Sequence, residues 1–300
     1  MYLTTKKTFM PKVLVTGANG QLGSELKALV KTSKNYNKDH FFFTDKDTLD
    51  ITSKSDIQNF VEKNNITNII NCAAYTAVDQ AEDDEINADK INHLAVKYLA
   101  QISKEKNLAF IHVSTDYVFD GTNHRPYIET DQTNPSGVYG RTKLAGEKAL
   151  QAINPNRSII IRTSWVYSSY GANFVKTMLR LGKERDSLGV IFDQVGTPTY
   201  AKDLAQTILD ILPKLSNDTI EIYHYSNEGV CSWYDFATAI FELSDIECQV
   251  NPIETKEYPT PATRPHYSLL NKVKIKNDFD LTIPYWKDSL KTCLSKIQEL

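Results

Sequence analysis

Short apolar segments of β-strand length alternate with segments of helical periodicity through the first half of this sequence. The strand-like segments are rich in β-branched and aromatic residues, as buried parallel strands often are. They cover residues 12–16, 40–44, 67–72, 108–114 and 158–163, while helical patterns begin near residue 21 and cover 53–65, 88–106 and 136–153. Because parallel strands joined by helices form a sheet covered on both faces, this pattern predicts an α/β fold with a doubly wound parallel sheet.

The alternation becomes less regular after about residue 165, and most of the 11 prolines fall in that part of the chain. Prolines mark loops and sheet edges rather than central strands. Helices are expected near 173–185 and 202–215, and short strands near 190–192 and 220–225. We therefore expect residues 10–165 to form the main domain and residues 166–300 a smaller C-terminal lobe, interleaved with the last sheet elements.

Charge, hydropathy and cysteine spacing exclude several classes of partner. The net charge of −3 gives no basic footprint for nucleic acid, and no apolar run approaches the roughly 20 residues of a membrane span. Residues 1–9 lack the apolar core of a signal peptide, so we expect a loose tail there, with Met10 as an alternative start of the chain. The four cysteines are far apart and lack zinc-site spacing, so reduced thiols in a cytoplasmic protein are expected.

The segment 17–23, which reads GANGQLG, lies between the first expected strand and the first expected helix. Glycine at such a turn lets the backbone approach a pyrophosphate, and the helix N-terminus supplies unpaired N–H groups. The GxxGxxG spacing differs from the Rossmann fingerprint GxGxxG and is typical of short-chain dehydrogenases/reductases. We therefore expect Gly17, Gly20 and Gly23 to form a dinucleotide site in a Rossmann-like fold.

The second expected strand is followed by Asp45, where an acidic residue would bond the adenosine ribose hydroxyls. Such a carboxylate disfavours a 2′-phosphate unless the adjacent Lys46 compensates for it. The alternative is a solvated loop carboxylate with no cofactor role. The choice between NADH and NADPH therefore stays open.

Tyr139 and Lys143 are four residues apart in an expected helix and so share one face of it. A lysine ammonium beside a phenol would lower a pKa that starts near 10, and the tyrosine could then exchange a proton with a carbonyl or hydroxyl group. Ser114 and Thr115 end a preceding strand, and active sites of parallel sheets form at the carboxyl ends of strands. These three elements favour a catalytic site over an exposed Tyr and Lys on a surface helix.

Longer stretches carry a resemblance that extends from residue 12 into the second lobe. Residues 73–82 read AAYTAVDQAE, 114–121 read STDYVFDG, 162–167 read RTSWVY, 193–199 read DQVGTPT, and Arg264 and Pro265 follow. In these stretches the chain resembles the extended short-chain dehydrogenases/reductases, and within them the reductases of dTDP-linked 4-keto-6-deoxysugars. The resemblance implies NAD(P)H-dependent reduction of dTDP-4-dehydro-L-rhamnose to dTDP-L-rhamnose.

The resemblance also implies a role for individual residues. The expected catalytic residues are Thr115, Tyr139 and Lys143, and the last two would also contact the cofactor. The other expected cofactor residues are Gly17, Gly20, Gln21, Leu22, Gly23, Asp45, Asp50, Ile51, Ala73, Ala74, Tyr75 and Asn92. The expected substrate residues are Thr76, Val78, Tyr117 and Trp165, with packing alone as the alternative for Val78 and Trp165. Residues 10–165 would then be the NAD(P)-binding domain and 166–300 mainly the substrate-binding lobe.

Some similar reductases bind Mg²⁺ at a homodimer interface through carboxylates. Glu25 occupies a suitable position, but residues 184–187, which read ERDS, do not clearly supply partner carboxylates. The sequence thus gives weak support for Mg²⁺, and a homodimer is expected only through the resemblance.

Two alternative functions remain at this point. One is another sugar-nucleotide enzyme of the same fold, an epimerase or dehydratase. The other is a non-catalytic regulatory subunit, since the regulatory subunit of methionine adenosyltransferase is similar to these reductases. Intact Thr115, Tyr139 and Lys143 favour an enzyme.

Overall fold

The structure is a computed structural model that describes residues 11–299. Its centre is a parallel sheet of six strands in the order β10-β5-β4-β3-β1-β2. These strands are β1 (Val13–Thr16), β2 (Phe41–Thr44), β3 (Asn68–Asn71), β4 (Ala109–Thr115), β5 (Ser158–Thr163) and β10 (Glu221–His224). The remaining strands are short and pair outside this sheet: β6 (Val166–Tyr167), β7 (Ser187–Ile191), β8 (Val195–Gly196), β9 (Thr199–Tyr200), β11 (Cys231–Ser232) and β12 (Gln249–Ile253).

Helices cover both faces of the sheet. They are α1 (Gln21–Thr32), α2 (Lys54–Asn64), α3 (Val78–Ala81), α4 (Glu85–Asp89), α5 (Ala95–Glu105), α6 (Val138–Ile153), α7 (Phe174–Glu184), α8 (Ala201–Ile211), α9 (Trp233–Glu242), α10 (Val273–Phe279) and α11 (Trp286–Gln298). Side chains alternate along β1, so Val13 and Val15 pack with α1 and α8, whereas Leu14 packs with α2 and α5. The predicted α/β fold with a doubly wound parallel sheet is therefore confirmed.

The helix expected over 88–106 differs from the prediction. It is divided into α4, a π-helical turn over Lys90–Leu94, and α5. A π turn inserts an extra residue into a helix and is frequent at functional sites. Here the turn places the backbone carbonyl of Asn92 against Gly146 of α6, where a Cβ would lie only 2.2 Å from that oxygen.

The second half of the chain builds a separate apolar cluster from α7, α9, α11 and the β7–β12 pair. Strand β10 nevertheless joins the main sheet beside β5. The division into two parts at residue 165 stays a prediction. The sequence did not predict four elements of the second half, which are α9, α10, α11 and β12. No helix within residues 11–299 has the length and apolar character needed to cross a membrane.

Candidate active site

A cleft of about 1130 Å³ opens where β1, β3, β4 and β5 end, between the main sheet and the second lobe. It brings together most residues that the sequence singled out. They are Gly17, Gly20, Gln21, Leu22, Asp45, Asp50, Ile51, Ala73, Ala74, Thr76, Val78, Thr115, Tyr117, Tyr139, Lys143 and Trp165. The expected residues outside the lining are Gly23, Tyr75 and Asn92.

The glycine-rich turn has the geometry of an anion cradle. Gly17 has φ +69°, and a Cβ there would lie 2.6 Å from the backbone nitrogen of Ala73. Gly20 is the N-cap of α1 and supplies no side chain to cap the first N–H groups of the helix, whose first residues Gln21 and Leu22 line the cleft. Gly23 acts through packing, because its Cβ would lie 2.3 Å from the Gly17 oxygen. This turn fits the diphosphate of a dinucleotide.

Gln21 joins the turn to the second lobe. Its side-chain nitrogen donates to the carbonyl of Val166 at 3.3 Å, and its oxygen accepts from the Asn173 amide at 2.9 Å. The loop that carries Trp165 is thus connected to the start of α1.

Two carboxylates lie at the far end of the cleft. The Thr48 hydroxyl donates to Asp45 at 2.9 Å, and the Asn19 amide donates to the other carboxyl oxygen of Asp45. Asp50 accepts from the Thr52 hydroxyl at 2.6 Å. These hydrogen bonds hold the pKa of both carboxyl groups below the usual value, so both stay ionised at neutral pH.

The three expected catalytic residues meet at the base of the cleft. Thr115 ends β4, and Tyr139 and Lys143 lie one turn apart on α6. The ammonium of Lys143 is buried and donates to the backbone carbonyl of Val113 at 2.7 Å. Burial lowers the pKa of Lys143 to about 8, although Glu147 and Cys72 oppose that shift.

The expectation that Lys143 lowers the pKa of Tyr139 is wrong for this geometry. Burial raises the pKa of Tyr139 to about 12, with the Thr115 hydroxyl partly opposing the shift and Asp116 adding to it. Lys143 faces the Val113 carbonyl instead of stabilising the phenolate. Removal from water therefore dominates, and Tyr139 holds its proton at neutral pH.

Asn92 fixes two parts of the site to each other. Its side chain accepts from the Tyr75 N–H at 2.9 Å and donates to the Tyr75 carbonyl and to the Thr142 hydroxyl, both at 3.2 Å. It is buried in the π turn and does not line the cleft. Asn92 thus holds the loop after β3 against the helix that carries Tyr139 and Lys143.

Aromatic rings form one wall of the cleft. Tyr117 meets Tyr139 edge to face at 5.4 Å, and Trp165 stacks on Trp233 at a centroid distance of 3.6 Å. Trp165 has φ +49°, an outlier for a bulky residue. Trp233 was not predicted from the sequence, and it lines the cleft from α9 together with Phe236. The aromatic-rich start of α9 was the available signal.

An ion pair joins α3 to the C-terminal segment. The Arg264 guanidinium donates to both carboxylate oxygens of Asp79, at 2.9 and 2.7 Å. Asp79 lies on α3 directly after Val78, so this bidentate pair fixes the start of α3 and the loop before it, which carries Thr76.

Glu25 does not lie at a surface available to a partner subunit. Its side chain is fully buried and accepts from the Ser168 hydroxyl at 2.7 Å and from the Lys296 ammonium at 3.0 Å. Both oxygens of Glu25 are therefore engaged within the chain and would have to exchange these partners to bind a metal ion. Within residues 11–299, no group of three or more His, Cys, Asp or Glu residues has metal-site geometry.

Known proteins are similar to this chain in sequence and in fold. The family model that matches residues 11–299 is described as the RmlD substrate binding domain. A dTDP-4-dehydrorhamnose reductase from Aggregatibacter actinomycetemcomitans is 44% identical over 292 residues, which cover 94% of this chain and 98% of the relative. The crystal structure of a dTDP-4-dehydrorhamnose reductase from Clostridium acetobutylicum is 42% identical, with a TM-score of 0.89 over 95% of this chain and 99% of that one.

A second solved structure was obtained with a cofactor. The dTDP-4-dehydrorhamnose reductase from Bacillus anthracis, in complex with NADP, is 38% identical, with a TM-score of 0.88 over 96% of this chain and 100% of that one. The match thus extends over both the cofactor cradle and the aromatic wall. The chain belongs to the dTDP-4-dehydrorhamnose reductase family.

Proposed function

We propose that the chain is an oxidoreductase that uses NADPH or NADH to reduce the 4-keto group of dTDP-4-dehydro-L-rhamnose, giving dTDP-L-rhamnose. One observation carries the proposal. The Thr115 and Tyr139 side chains lie together beside buried Lys143, and the N-terminus of α1 lines the same cleft. Names of relatives at 44% and 39% identity support the substrate class. NADP in the B. anthracis structure supports the cofactor.

The residues would hold the cofactor along the cleft. The turn with Gly17 and Gly20 fits the diphosphate, and Asp45 and Asp50 lie where adenosine would be bound. When bound, the reduced nicotinamide supplies the hydride that adds to C4 of the sugar. The residues of this chain orient the cofactor and the sugar and transfer the proton.

Tyr139 is the proton donor in this proposal. Reduction of a ketone leaves an alkoxide that needs a proton, and the raised pKa of Tyr139 keeps the phenol protonated until that charge develops. Thr115 hydrogen-bonds the same oxygen. Lys143 supplies positive charge to the nicotinamide side of the site.

The substrate would lie against the aromatic wall. Trp165 offers a flat apolar surface, Tyr117 closes the side next to Tyr139, and the Asp79–Arg264 pair fixes the loop with Thr76 and Val78. In this proposal residues 10–165 mainly bind the cofactor and residues 166–300 complete the substrate site.

A dehydratase is the alternative within the fold. Removing water from the sugar needs an acid and a base beside the ring, and dehydratases generally carry a carboxylate where this chain has Tyr117. Burial raises the pKa of Tyr117 well above its usual value, so this phenol is unsuited to act as a base. The geometry therefore favours the reductase.

The test is incubation with dTDP-4-dehydro-L-rhamnose and NADPH, followed at the nicotinamide absorbance. Stoichiometric loss of NADPH and formation of dTDP-L-rhamnose are expected, with dTDP-glucose left unchanged. Formation of a 4-keto-6-deoxy product from dTDP-glucose without net cofactor consumption would favour the dehydratase. Cofactor binding with no turnover on either sugar would favour the regulatory subunit.

We also propose a cytoplasmic homodimer. The four cysteines are free thiols, which suits a reducing compartment. The homodimer rests on the family resemblance, and light scattering of the purified protein tests it through the molar mass.

A further inference from the structure

Asp116 is a buried carboxyl group at the base of the cleft that the proposed reaction does not use. Its side chain is 2% exposed and directly follows Thr115 at the end of β4. The Thr115 hydroxyl donates to Oδ1 of Asp116 at 2.9 Å. Oδ2 and the Ser268 hydroxyl are both buried and have no partner of normal hydrogen-bond geometry in the described chain, while Ser268 lies close enough to the carboxyl group to lower its pKa.

A threonine hydroxyl has one hydrogen to donate and two lone pairs that can accept. The backbone N–H of Tyr117 already donates to the Thr115 oxygen at 3.2 Å. In the arrangement shown, the single Thr115 hydrogen goes to Asp116. That hydrogen is then not available to a substrate oxygen in front of Tyr139.

We propose that Asp116 works as a neutral carboxyl group that donates its own proton to the Thr115 oxygen and thereby turns the Thr115 hydrogen toward the substrate carbonyl. With Asp116 neutral, the two lone pairs of Thr115 accept from Tyr117 N–H and from Asp116. Its hydrogen is then free to polarise C4=O. Asp116 is a positioning residue, and the inference rests on the proposed function because it assigns Thr115 to the substrate oxygen.

The surroundings of Asp116 favour the neutral form. The titratable and charged groups around it are Tyr117 on its own turn, Tyr139 on α6, and the Arg264–Asp79 pair beyond Tyr117. Burial raises the pKa of Asp116 to about 7, with the Thr115 hydroxyl opposing the shift. The neutral carboxyl therefore predominates below about pH 7 and is lost as the pH rises through that value.

The test compares the pH dependence of kcat/KM for the wild type and Asp116→Asn, with the 4-keto sugar and NADPH. The Asn side chain has the same shape and its N–H donates to Thr115 at every pH. From about pH 6 to about pH 8 we expect the wild-type value to fall roughly tenfold or more. We expect the Asp116→Asn value to fall only about twofold, through Lys143, whose pKa is about 8.

Two controls separate positioning from folding. Exposed Asp83 is the matched control site. Asp83→Asn should keep the wild-type dependence of kcat/KM on pH. When Thr115 is already replaced by Val, adding Asp116→Asn should no longer change how kcat/KM depends on pH, because the hydroxyl that Asp116 orients is gone. An Asp116→Asn profile with the wild-type slope would overturn the inference.

Infrared spectroscopy of wild-type protein with isotope-labelled aspartate tests the neutral carboxyl without any substrate. An aspartic acid C=O band at about pH 6 that disappears by about pH 9 is expected, and its absence would overturn the inference even if Asp116→Asn failed to fold. If wild-type protein consumed no NADPH with the 4-keto sugar, the proposed function would fail. The infrared titration would still decide separately whether Asp116 is neutral.

Discussion

Trp165 and Trp233 stack face to face, with ring centroids 3.6 Å apart and ring planes 10° apart. Trp165 follows β5 of the main sheet, whereas Trp233 begins α9 of the second lobe. The stack therefore connects the two halves of the chain at the cleft. It also supports Trp165 in a left-handed backbone conformation, which costs about 1–3 kcal/mol when nothing compensates for it.

Removing this support should weaken substrate binding more than turnover. We expect Trp233→Ala to raise KM for the sugar nucleotide by about tenfold, since an aromatic pair contributes roughly 0.5–1.5 kcal/mol beyond its buried area. Steady-state kinetics measure this KM. The control is Phe192→Ala, at an exposed aromatic residue outside the cleft. An unchanged KM in folded Trp233→Ala would show that the stack does not shape the substrate site.

Loss of the phenol hydroxyl should remove the proton donor and leave the cofactor site intact. We expect Tyr139→Phe to lower kcat by roughly 10²–10⁴, the usual contribution of a positioned acid. NADPH binding, measured by fluorescence titration, should stay within about twofold of the wild type. Exposed Tyr258 provides the control variant Tyr258→Phe. Near-normal kcat in Tyr139→Phe would exclude Tyr139 as the donor.

Buried Lys143 should contribute stability to the folded protein that grows as the solution becomes alkaline. Its pKa of about 8 lies below the usual 10.5, so between these values the unfolded chain binds a proton that the folded chain does not. The free energy of unfolding therefore rises with pH in that interval. Urea unfolding from about pH 8 to about pH 10 should therefore give the wild type a more positive slope of unfolding free energy against pH than Lys143→Met, because the buried cysteines and tyrosines act equally in both.

Lys148 is exposed on the same helix and gives the matched control. Lys148→Met should keep the wild-type dependence of the unfolding free energy on pH. If Lys143→Met and the wild type changed in parallel, the ammonium of Lys143 would have an ordinary pKa in the folded protein.

Asp45 should set the preference between the two nicotinamide cofactors. Its carboxylate is ionised and lies in the cleft beside Asn19, where it would accept from ribose hydroxyls and repel a 2′-phosphate. We expect Asp45→Ala to shift the ratio of kcat/KM values toward NADPH, with Asp47→Ala, at an exposed neighbour, as the control. An unchanged ratio would mean that Asp45 does not contact the cofactor.

Much of the fold was predictable because each signal was local. The strands expected at 12–16 and 158–163 agree with β1 and β5 to within one residue, and the helix expected at 53–65 agrees with α2 to the same extent. Helical spacing also placed Tyr139 and Lys143 on one face of α6. The π turn at Asn92 could not be predicted, since it depends on the close approach of Gly146 from another helix.

The sequence by itself determined the parallel sheet, the glycine turn at the start of α1 and most, though not all, of the residues that reach the cleft. Alternation, helical periodicity and turn residues are properties of neighbouring positions, so they can be seen before folding. Only the tertiary structure decided the electrostatic character of those residues. Tyr139 holds its proton, the pKa of Asp116 rises to about 7, and Glu25 pairs with Lys296, because distant segments exclude water from these groups and supply their partners.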